Sequence, residues 1–190
     1  MLIAVEGMDG VGKTTTGKLL AQRLGFTFIE KSMHLLFDEG NNFDNYIKLR
    51  DVINDNPDEV IRAWFYGLNN IISGKRSQME NIVTDRHFLS NYFWCGSKNS
   101  EPIFECLIEM IGKPALTVLL CADIKTVKDR IFNRNNKDKD IFKADMSPMA
   151  VEKMESFLVR YHMPHIKIDT THLNVEQVVD IIEAEVKKLI

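Results

Sequence analysis

Gly7-Met8-Asp9-Gly10-Val11-Gly12-Lys13-Thr14 decides the fold, because it matches the phosphate-binding loop pattern G-x-x-x-x-G-K-[ST] without a gap. The apolar run 2–5 precedes it and predicts a short buried strand. Residues 15–24 follow it, and their leucines recur at helical spacing. Since the pattern requires strand, loop and helix in this order, the stretch predicts a site for nucleotide phosphates. The alternative is a glycine-rich turn that binds nothing.

The residue types of the loop suit phosphate chemistry. Glycines let the backbone curl with its N–H groups inward, and the helix that follows adds its positive N-terminal end. Lys13 is expected to reach the β- and γ-phosphates, and Thr14 to occupy one position on Mg²⁺. We therefore expect ATP as co-substrate and Mg²⁺ as cofactor. The predicted ATP-binding set is Gly7, Asp9, Gly10, Val11, Gly12, Lys13, Thr14 and Thr15.

Length, charge and cysteine content limit the classes of protein. A chain of 190 residues with 45% apolar residues suits one domain, 1–190, with a sizeable core. The net charge of −3 gives no overall field toward nucleic acid or an anionic membrane, so neither partner is expected. The three cysteines show neither paired spacing nor a metal pattern. Without a signal-like opening or an apolar run of membrane-spanning length, the expected location is the cytoplasm.

Strand and helix signals alternate along the chain. After the first strand, further strands are predicted at 26–29, 82–84, 115–122 and 165–169. Helices are predicted at 15–24, 46–53, from Asn56-Pro57-Asp58-Glu59 to about Ser77, at 124–135, from 147, and at 174–190. The alternation predicts an α/β fold in which a five-stranded parallel sheet is flanked by helices.

One segment is too polar to belong to either kind of element. The residues from Arg130 to Asp140 are dense in charge and hold two arginines and two lysines. Such a stretch has no apolar side to bury, so we expect a mobile loop, placed as a lid at about 134–146.

Two charged pairs follow predicted strands. Asp85-Arg86 ends the third strand, which in this fold class lies next to the phosphate loop. There Asp85 can order magnesium-bound water, and Arg86 can grip a second phosphate; the alternative is a surface ion pair. Glu30-Lys31 ends the second strand, where it either faces the same crevice or is a solvated strand end.

At this point the sequence resembles a known family. The run from Val5 to Thr15, VEGMDGVGKTT, is similar to the opening of thymidylate kinases, and the run from Asp85 to Ser90, DRHFLS, resembles their D-R-[YH]-x-x-S signature. Phe65-Tyr66 stands where that family has its base-stacking phenylalanine, and Arg130 with Arg134 resembles its basic lid. The similarity covers almost the whole chain. It implies a P-loop kinase fold and transfer of a phosphoryl group from ATP to dTMP.

The resemblance also implies roles for individual residues. Asp9 would contact the sugar hydroxyl of the acceptor, and Arg86 its phosphate. Arg50 would be a second phosphate contact. Phe65 would stack on the base, and Trp94 holds the family position beside the sugar.

The catalytic groups implied are Lys13, Asp85 and lid arginines. Gly10 stands where one subclass of the family has an arginine inside the loop, so the catalytic arginine is expected from the lid, as Arg134 with Arg130. Charge that builds on the transferred phosphoryl group needs a cation, and a closing loop also excludes water. Thr14 and Asp85 are the expected metal contacts. A homodimer is also implied.

Departures from the family leave the acceptor open. Asn69 replaces the arginine that reads the thymine edge and can still read a base edge, with one donor and one acceptor. Glu30-Lys31-Ser32 replaces the R-E-P-G-G segment. One alternative is a deoxynucleoside kinase, in which Glu30 would be the general base that a hydroxyl acceptor needs. Another is a non-catalytic module that binds ATP and changes shape.

Overall fold

The centre of the fold is a five-stranded parallel sheet. A computed structural model describes residues 1–40, 42–136 and 138–189 of the chain. The strands are β1 (Leu2–Glu6), β2 (Thr27–Glu30), β3 (Ile82–Asp85), β4 (Leu116–Cys121) and β5 (His165–Asp169). They lie in the order β2-β3-β1-β4-β5, and every pair is parallel. The predicted α/β fold is confirmed.

Helices connect successive strands. In the described ranges they are α1 (Lys13–Leu24), α2 (Asp44–Asn54), α3 (Glu59–Arg76), α4 (Phe88–Cys95), α5 (Glu101–Ile111), α6 (Ile124–Arg134), α7 (Ser147–Arg160) and α8 (Val175–Val186). Two 3-10 helices lie at Ser32–Leu36 and Lys139–Met146. The Asp58, Asp123 and Asn174 side chains accept hydrogen bonds from backbone N–H groups in the first turns of α3, α6 and α8. Asp123 and Asn174 cap the helices predicted to start there, whereas α3 is capped by Asp58, so that Pro57 precedes the helix and does not lie in its first turn.

Both faces of the sheet are covered. On one face α1, α6 and α8 pack over a core that includes Ile3 and Val5. On the other face α3, α4, α5 and α7 form a second core, which Leu119 of β4 joins. A central parallel strand buried on both sides reads as a continuous apolar run, as β4 does. No helix among the described residues is long and apolar enough to cross a membrane.

The strand order positions the phosphate loop. β1 lies between β3 and β4, and Val5 is in register with both Asp85 and Val118. The loop that follows β1 therefore leaves the sheet beside the end of β3. Ligands of such sheets bind beyond the carboxyl ends of the strands, where the order of the connections reverses.

The segment predicted as a lid is more ordered than its composition indicates. Helix α6 runs to Arg134, and the stretch Lys139–Met146 forms a 3-10 helix. Ala144 is buried, and Ile141 packs against the sheet core. The stretch predicted to have no apolar side ends at Asp140, and the last part of the predicted lid, beyond it, is helical and does carry apolar residues that pack on the core. Lys137, one of the predicted lid cations, lies outside the described residues.

Candidate functional site

A continuous cleft of about 1670 Å³ opens at the carboxyl edge of the sheet. One side is formed by α2, α3 and α4, the other by α6 and the connection into α8, and the phosphate loop lies between them. The predicted site residues that line the cleft are Asp9, Gly10, Val11, Gly12, Lys13, Thr14, Thr15, Arg50, Asn69, Asp85, Arg86, Trp94, Arg130 and Arg134. Gly7 and Phe65 are the predicted residues that do not line it.

Gly7 lies beneath the loop, where no side chain fits. Its φ is 134°, and a Cβ there would lie 2.3 Å from the backbone oxygen of Leu120 on β4. The loop therefore turns sharply out of the sheet at this residue. Its place below the cleft is consistent with a role in shaping the loop.

Gly10 explains why this loop carries no arginine. Its φ is 85°, and a Cβ would lie 3.0 Å from the side chains of both Val127 and Ile131 on α6. The carbonyl oxygen of Val127 would be 3.1 Å away. Any side chain here would need its α6 neighbours to give way, in a backbone conformation that residues with a Cβ rarely adopt.

Lys13 folds back onto the loop. Its ammonium donates a hydrogen bond to the Met8 carbonyl at 2.8 Å, and its Nζ lies 3.7 Å from Asp9 Oδ1. The side chain is buried, and burial lowers the pKa of Lys13 to about 8. A phosphate in the loop would favour the charged form and restore the ordinary pKa.

Thr14 and Asp85 meet where a metal ion is expected. The Thr14 hydroxyl, in the first turn of α1, donates to Asp85 Oδ2 at the end of β3. Asp85 Oδ1 is buried and has no hydrogen-bond partner in the described part of the chain. An unfilled carboxylate oxygen beside a hydroxyl is a donor set that suits Mg²⁺.

Arg86 holds an uncommon backbone conformation. Its φ is 74°, in the left-handed region that residues with a Cβ rarely adopt. Its guanidinium donates to Asp9 and, at 3.2 Å, to Ser90 Oγ. Although burial alone would raise the pKa of Asp9, Arg86 and Lys13 lower it to about 2. Asp85-Arg86 is thus not a pair of mutually bonded residues: each side chain bonds a different partner in the phosphate loop or its helix.

Glu6 is a buried residue that the sequence analysis missed. Its carboxylate is fully buried and accepts backbone hydrogen bonds from His87 and Leu89, both at 2.8 Å. Ser90 donates to it from its backbone N–H at 3.2 Å and from its hydroxyl at 2.5 Å. The signal available in the sequence was a carboxylate that ends the apolar run 2–5 directly before Gly7.

Tyr66, and not Phe65, faces the cleft on α3. Its hydroxyl donates to Asn54 Oδ1 at 2.5 Å, and the two neighbouring rings meet edge to face with centroids 5.2 Å apart. Arg50 lies nearby and bonds Asp51 Oδ1 through Nε at 3.0 Å and Nη2 at 2.7 Å. This side of the cleft therefore offers an aromatic ring beside a cation.

Three asparagines near the cleft differ in what they bond. Asn69 Oδ1 already accepts from Ser32 at 2.7 Å. Asn70 Nδ2 and Asn91 Oδ1 are buried and have no partner among the described residues. The ring nitrogens of His87 are likewise buried without a hydrogen bond of good geometry in the same part of the chain, and burial lowers the pKa of His87 to about 4. Asn70, Asn91 and His87 contribute to the wall of the cleft, and their unpartnered polar atoms lie buried behind its surface.

The two lid arginines are held differently. Arg130 donates to Thr170 Oγ1 at 2.9 Å and to the Thr170 carbonyl at 2.7 Å, which ties α6 to the end of β5. Arg134 is half exposed and pairs with Asp138 at 2.5 Å. Arg134 is therefore freer to move toward a ligand than Arg130.

This fold and cleft define a P-loop nucleotide kinase. The profile of the family described as thymidylate kinase matches residues 5–182, so the chain belongs to the thymidylate kinase family. A probable thymidylate kinase of Methanocaldococcus jannaschii is 28% identical over 186 residues, which cover 94% of this chain and 91% of that protein. A putative adenylate kinase of the same organism is 26% identical, and the match covers 97% of this chain and 85% of that one.

Solved structures share the fold at low sequence identity. Thymidylate kinase from Candida albicans has a TM-score of 0.66 at 15% identity, covering 98% of this chain and 91% of that one. A deoxyadenosine kinase from M. mycoides, with dCMP and a flexible dCDP bound, also has a TM-score of 0.66, at 17% identity and with coverage of 99% and 100%.

Proposed function

We propose that this kinase transfers the γ-phosphoryl group of ATP to a deoxynucleoside monophosphate, with dTMP as the first candidate. The observation that carries the proposal is the charge on the α2–α4 side of the cleft, where Arg50, Arg62 and Arg86 all line the wall. Guanidinium groups suit phosphate because they donate two parallel hydrogen bonds. Three of them on the side opposite the lid favour an acceptor that is itself an anion.

The reaction needs positioning more than proton transfer. An oxygen of the acceptor phosphate attacks the γ-phosphorus, the bond to the β-phosphate oxygen breaks, and ADP leaves with the electron pair. A phosphate acceptor is already ionised, so no general base is required. Lys13 would hold the β- and γ-phosphates, Arg86 and Arg50 the acceptor phosphate, and Arg134 would swing from Asp138 onto the group in transfer.

Magnesium fits the residues present. Thr14 and Asp85 would hold it, directly or through water, and the unpartnered Asp85 Oδ1 supports this assignment. When bound, the ion neutralises charge on the β- and γ-phosphates. Lys13 and the backbone N–H groups of the loop provide the remaining contacts to these oxygens.

The acceptor base is proposed to lie against Tyr66, with its edge toward Asn70 and Asn91. Asn91 Nδ2 donates to the Ala63 carbonyl at 3.2 Å, which leaves its Oδ1 as an acceptor. Asn70 offers a free donor through Nδ2. One donor and one acceptor complement the edge of a base that presents both.

The test is a panel assay of ATP consumption with Mg²⁺. Deoxynucleoside monophosphates and the matching deoxynucleosides are offered at equal concentrations, and Lys13→Ala is the control for the loop. We expect turnover with monophosphates, dTMP among the best, and none with Lys13→Ala. Turnover with nucleosides alone, or full activity of Lys13→Ala, would refute the proposal.

A deoxynucleoside kinase is the second candidate, because Glu30 lines the same cleft. Glu30 is in register with Asp85 across β2 and β3, and its carboxylate lies 3.2 Å from Lys31 Nζ. A hydroxyl acceptor needs such a base, whereas a phosphate does not. Glu30→Gln should therefore abolish transfer in a nucleoside kinase and leave transfer to a monophosphate nearly unchanged.

A further inference from the structure

Glu6 takes no part in the reaction proposed above, yet it joins the two halves of the site. It ends β1 and is the immediate neighbour of Gly7, where the phosphate loop begins. Its carboxylate reaches across to β3's end and binds the chain on the far side of Arg86. Burying a carboxylate costs free energy unless it is fully hydrogen-bonded. Glu6 can therefore be buried here only because donors that follow β3 surround it.

Among the described residues, the Glu6 carboxylate accepts its hydrogen bonds from N–H and O–H groups of residues 87–90. Oε1 accepts from the His87 and Leu89 backbone, and Oε2 accepts from the backbone and the hydroxyl of Ser90. These N–H groups are the free donors at the start of α4, and a negative charge there is also favoured by the helix dipole. Only an acceptor-only group satisfies all of them; an amide of the same shape would turn an NH₂ toward a backbone N–H.

Two consecutive N–H groups, those of Arg86 and His87, are both hydrogen-bonded to the end of β1. Arg86 donates its own N–H to the Val5 carbonyl at 3.0 Å, and the next N–H, of His87, goes to Glu6. The left-handed turn at Arg86 is thus fixed on both sides by consecutive residues of β1. Such a conformation persists only when its surroundings determine it strongly. The direction in which the guanidinium enters the cleft follows from that turn.

We infer that Glu6 is a positioning residue: it holds Arg86 in its left-handed conformation and so links the phosphate loop to the binding of the acceptor phosphate. The inference rests on the proposed function, in which Arg86 binds the acceptor phosphate. Because Glu6 acts through Arg86, its loss should weaken the acceptor far more than ATP.

The experiment compares Glu6→Gln with Glu101→Gln. Glu101 also accepts several side-chain hydrogen bonds, from Tyr92, Tyr161 and Arg160, but it lies outside the cleft. We expect Glu6→Gln to lower kcat/KM for the acceptor by about tenfold or more, the loss of one to two hydrogen bonds to a charged group, and to change KM for ATP by less than about threefold. Glu101→Gln should change neither constant, whatever it does to the melting temperature.

A double-mutant cycle isolates the route through Arg86. In the Arg86→Ala background, Glu6→Gln should have no further effect on the acceptor, since two residues that act as a unit are not additive. If Glu6→Gln does not fold, Glu6→Asp takes its place, because it keeps an acceptor-only carboxylate of shorter reach. It should also lower kcat/KM for the acceptor more than it changes KM for ATP, but by a smaller factor than Glu6→Gln.

The outcomes separate the two levels of the argument. A wild-type protein that phosphorylates no monophosphate refutes the proposed function. If the wild type is active, three results would overturn the inference and make Glu6 a residue of stability alone. The folded Glu6 variants could keep their acceptor constants, they could lose acceptor and ATP binding equally, or their effect could add fully to that of Arg86→Ala.

Discussion

Replacing Gly10 by alanine tests how closely the phosphate loop packs on α6. At a φ of 85°, an alanine costs about 1–2 kcal/mol in the left-handed region. Its Cβ would also lie 3.0 Å from two α6 side chains and 3.1 Å from the Val127 carbonyl, an overpacking that costs about 1–3 kcal/mol. The expected loss is about 2–5 kcal/mol, a large part of the ~5–15 kcal/mol of a typical domain.

Gly25→Ala is the matched control. Gly25 ends α1 with a φ of 67°, but a Cβ there meets nothing within 4 Å. It therefore reports the backbone cost alone. At about 2–4 °C per kcal/mol for a chain of this size, Gly25→Ala should lower the melting temperature by ~2–8 °C, and Gly10→Ala by ~4–20 °C.

Differential scanning calorimetry without nucleotide measures both shifts, and titration with ATP then shows whether the displaced loop still binds. We expect weaker ATP binding in Gly10→Ala and unchanged binding in Gly25→Ala. Equal melting temperatures for the two variants would refute the reasoning, because the loop would then have room for a side chain, and an arginine there would be sterically allowed.

Three further predictions concern single side chains. Arg86→Ala should lower kcat/KM for the acceptor by roughly thirty- to a thousandfold and kcat/KM for ATP much less, measured by steady-state kinetics with each substrate varied in turn. Equal losses for both substrates would make Arg86 a structural residue. Arg134→Ala should lower the turnover number by ~100-fold with ATP affinity nearly kept. Asp138→Asn should not, because it removes the charge that pairs with Arg134 while its amide oxygen can still accept the hydrogen bond from the Asp140 N–H; a collapse of ATP affinity in calorimetry with turnover intact would make the lid an ATP clamp. His87 should make the protein less stable in mild acid: the pKa is about 4 when folded but about 6.5 when unfolded, so between these values the unfolded chain binds the proton first, and about 3 kcal/mol is lost as the pH falls from 6.5 to 4. Urea unfolding at pH 7 and pH 4.5 should show a smaller loss for His87→Gln, and an identical loss would contradict the assignment.

Most of the architecture was predictable because its signals are local. The loop pattern, the apolar strands and the caps at Asp123 and Asn174 each lie within a few residues of the element they define. Helix α4 was missed because seven of its eight residues are buried, so it lacks the polar face that gives a helix its period.

The site was predictable where a residue belongs to a motif or to a position that the family resemblance supplies. The predicted loop residues other than Gly7 and the pair Asp85-Arg86 line the cleft as expected, and so do Arg50 and Arg134, which came from the resemblance. Phe65 and Tyr66 differ by one position, which rotates a side chain by about 100° around a helix, and a sequence does not give that rotation. Glu6 was missed because its partners lie more than 80 positions downstream.

The central place of β1 also has a consequence for how the protein folds during synthesis. β1 is synthesised before both strands that flank it: Leu2 pairs with Ile82 and Ile3 with Leu116. Its apolar residues therefore stay unpaired until β3 and β4 have been made. Contacts between such distant segments form slowly, and an unpaired apolar strand is prone to aggregate in the meantime. The nascent chain should therefore bind nucleotide only after β4 has emerged, and truncation before that strand should leave a product that depends on chaperones.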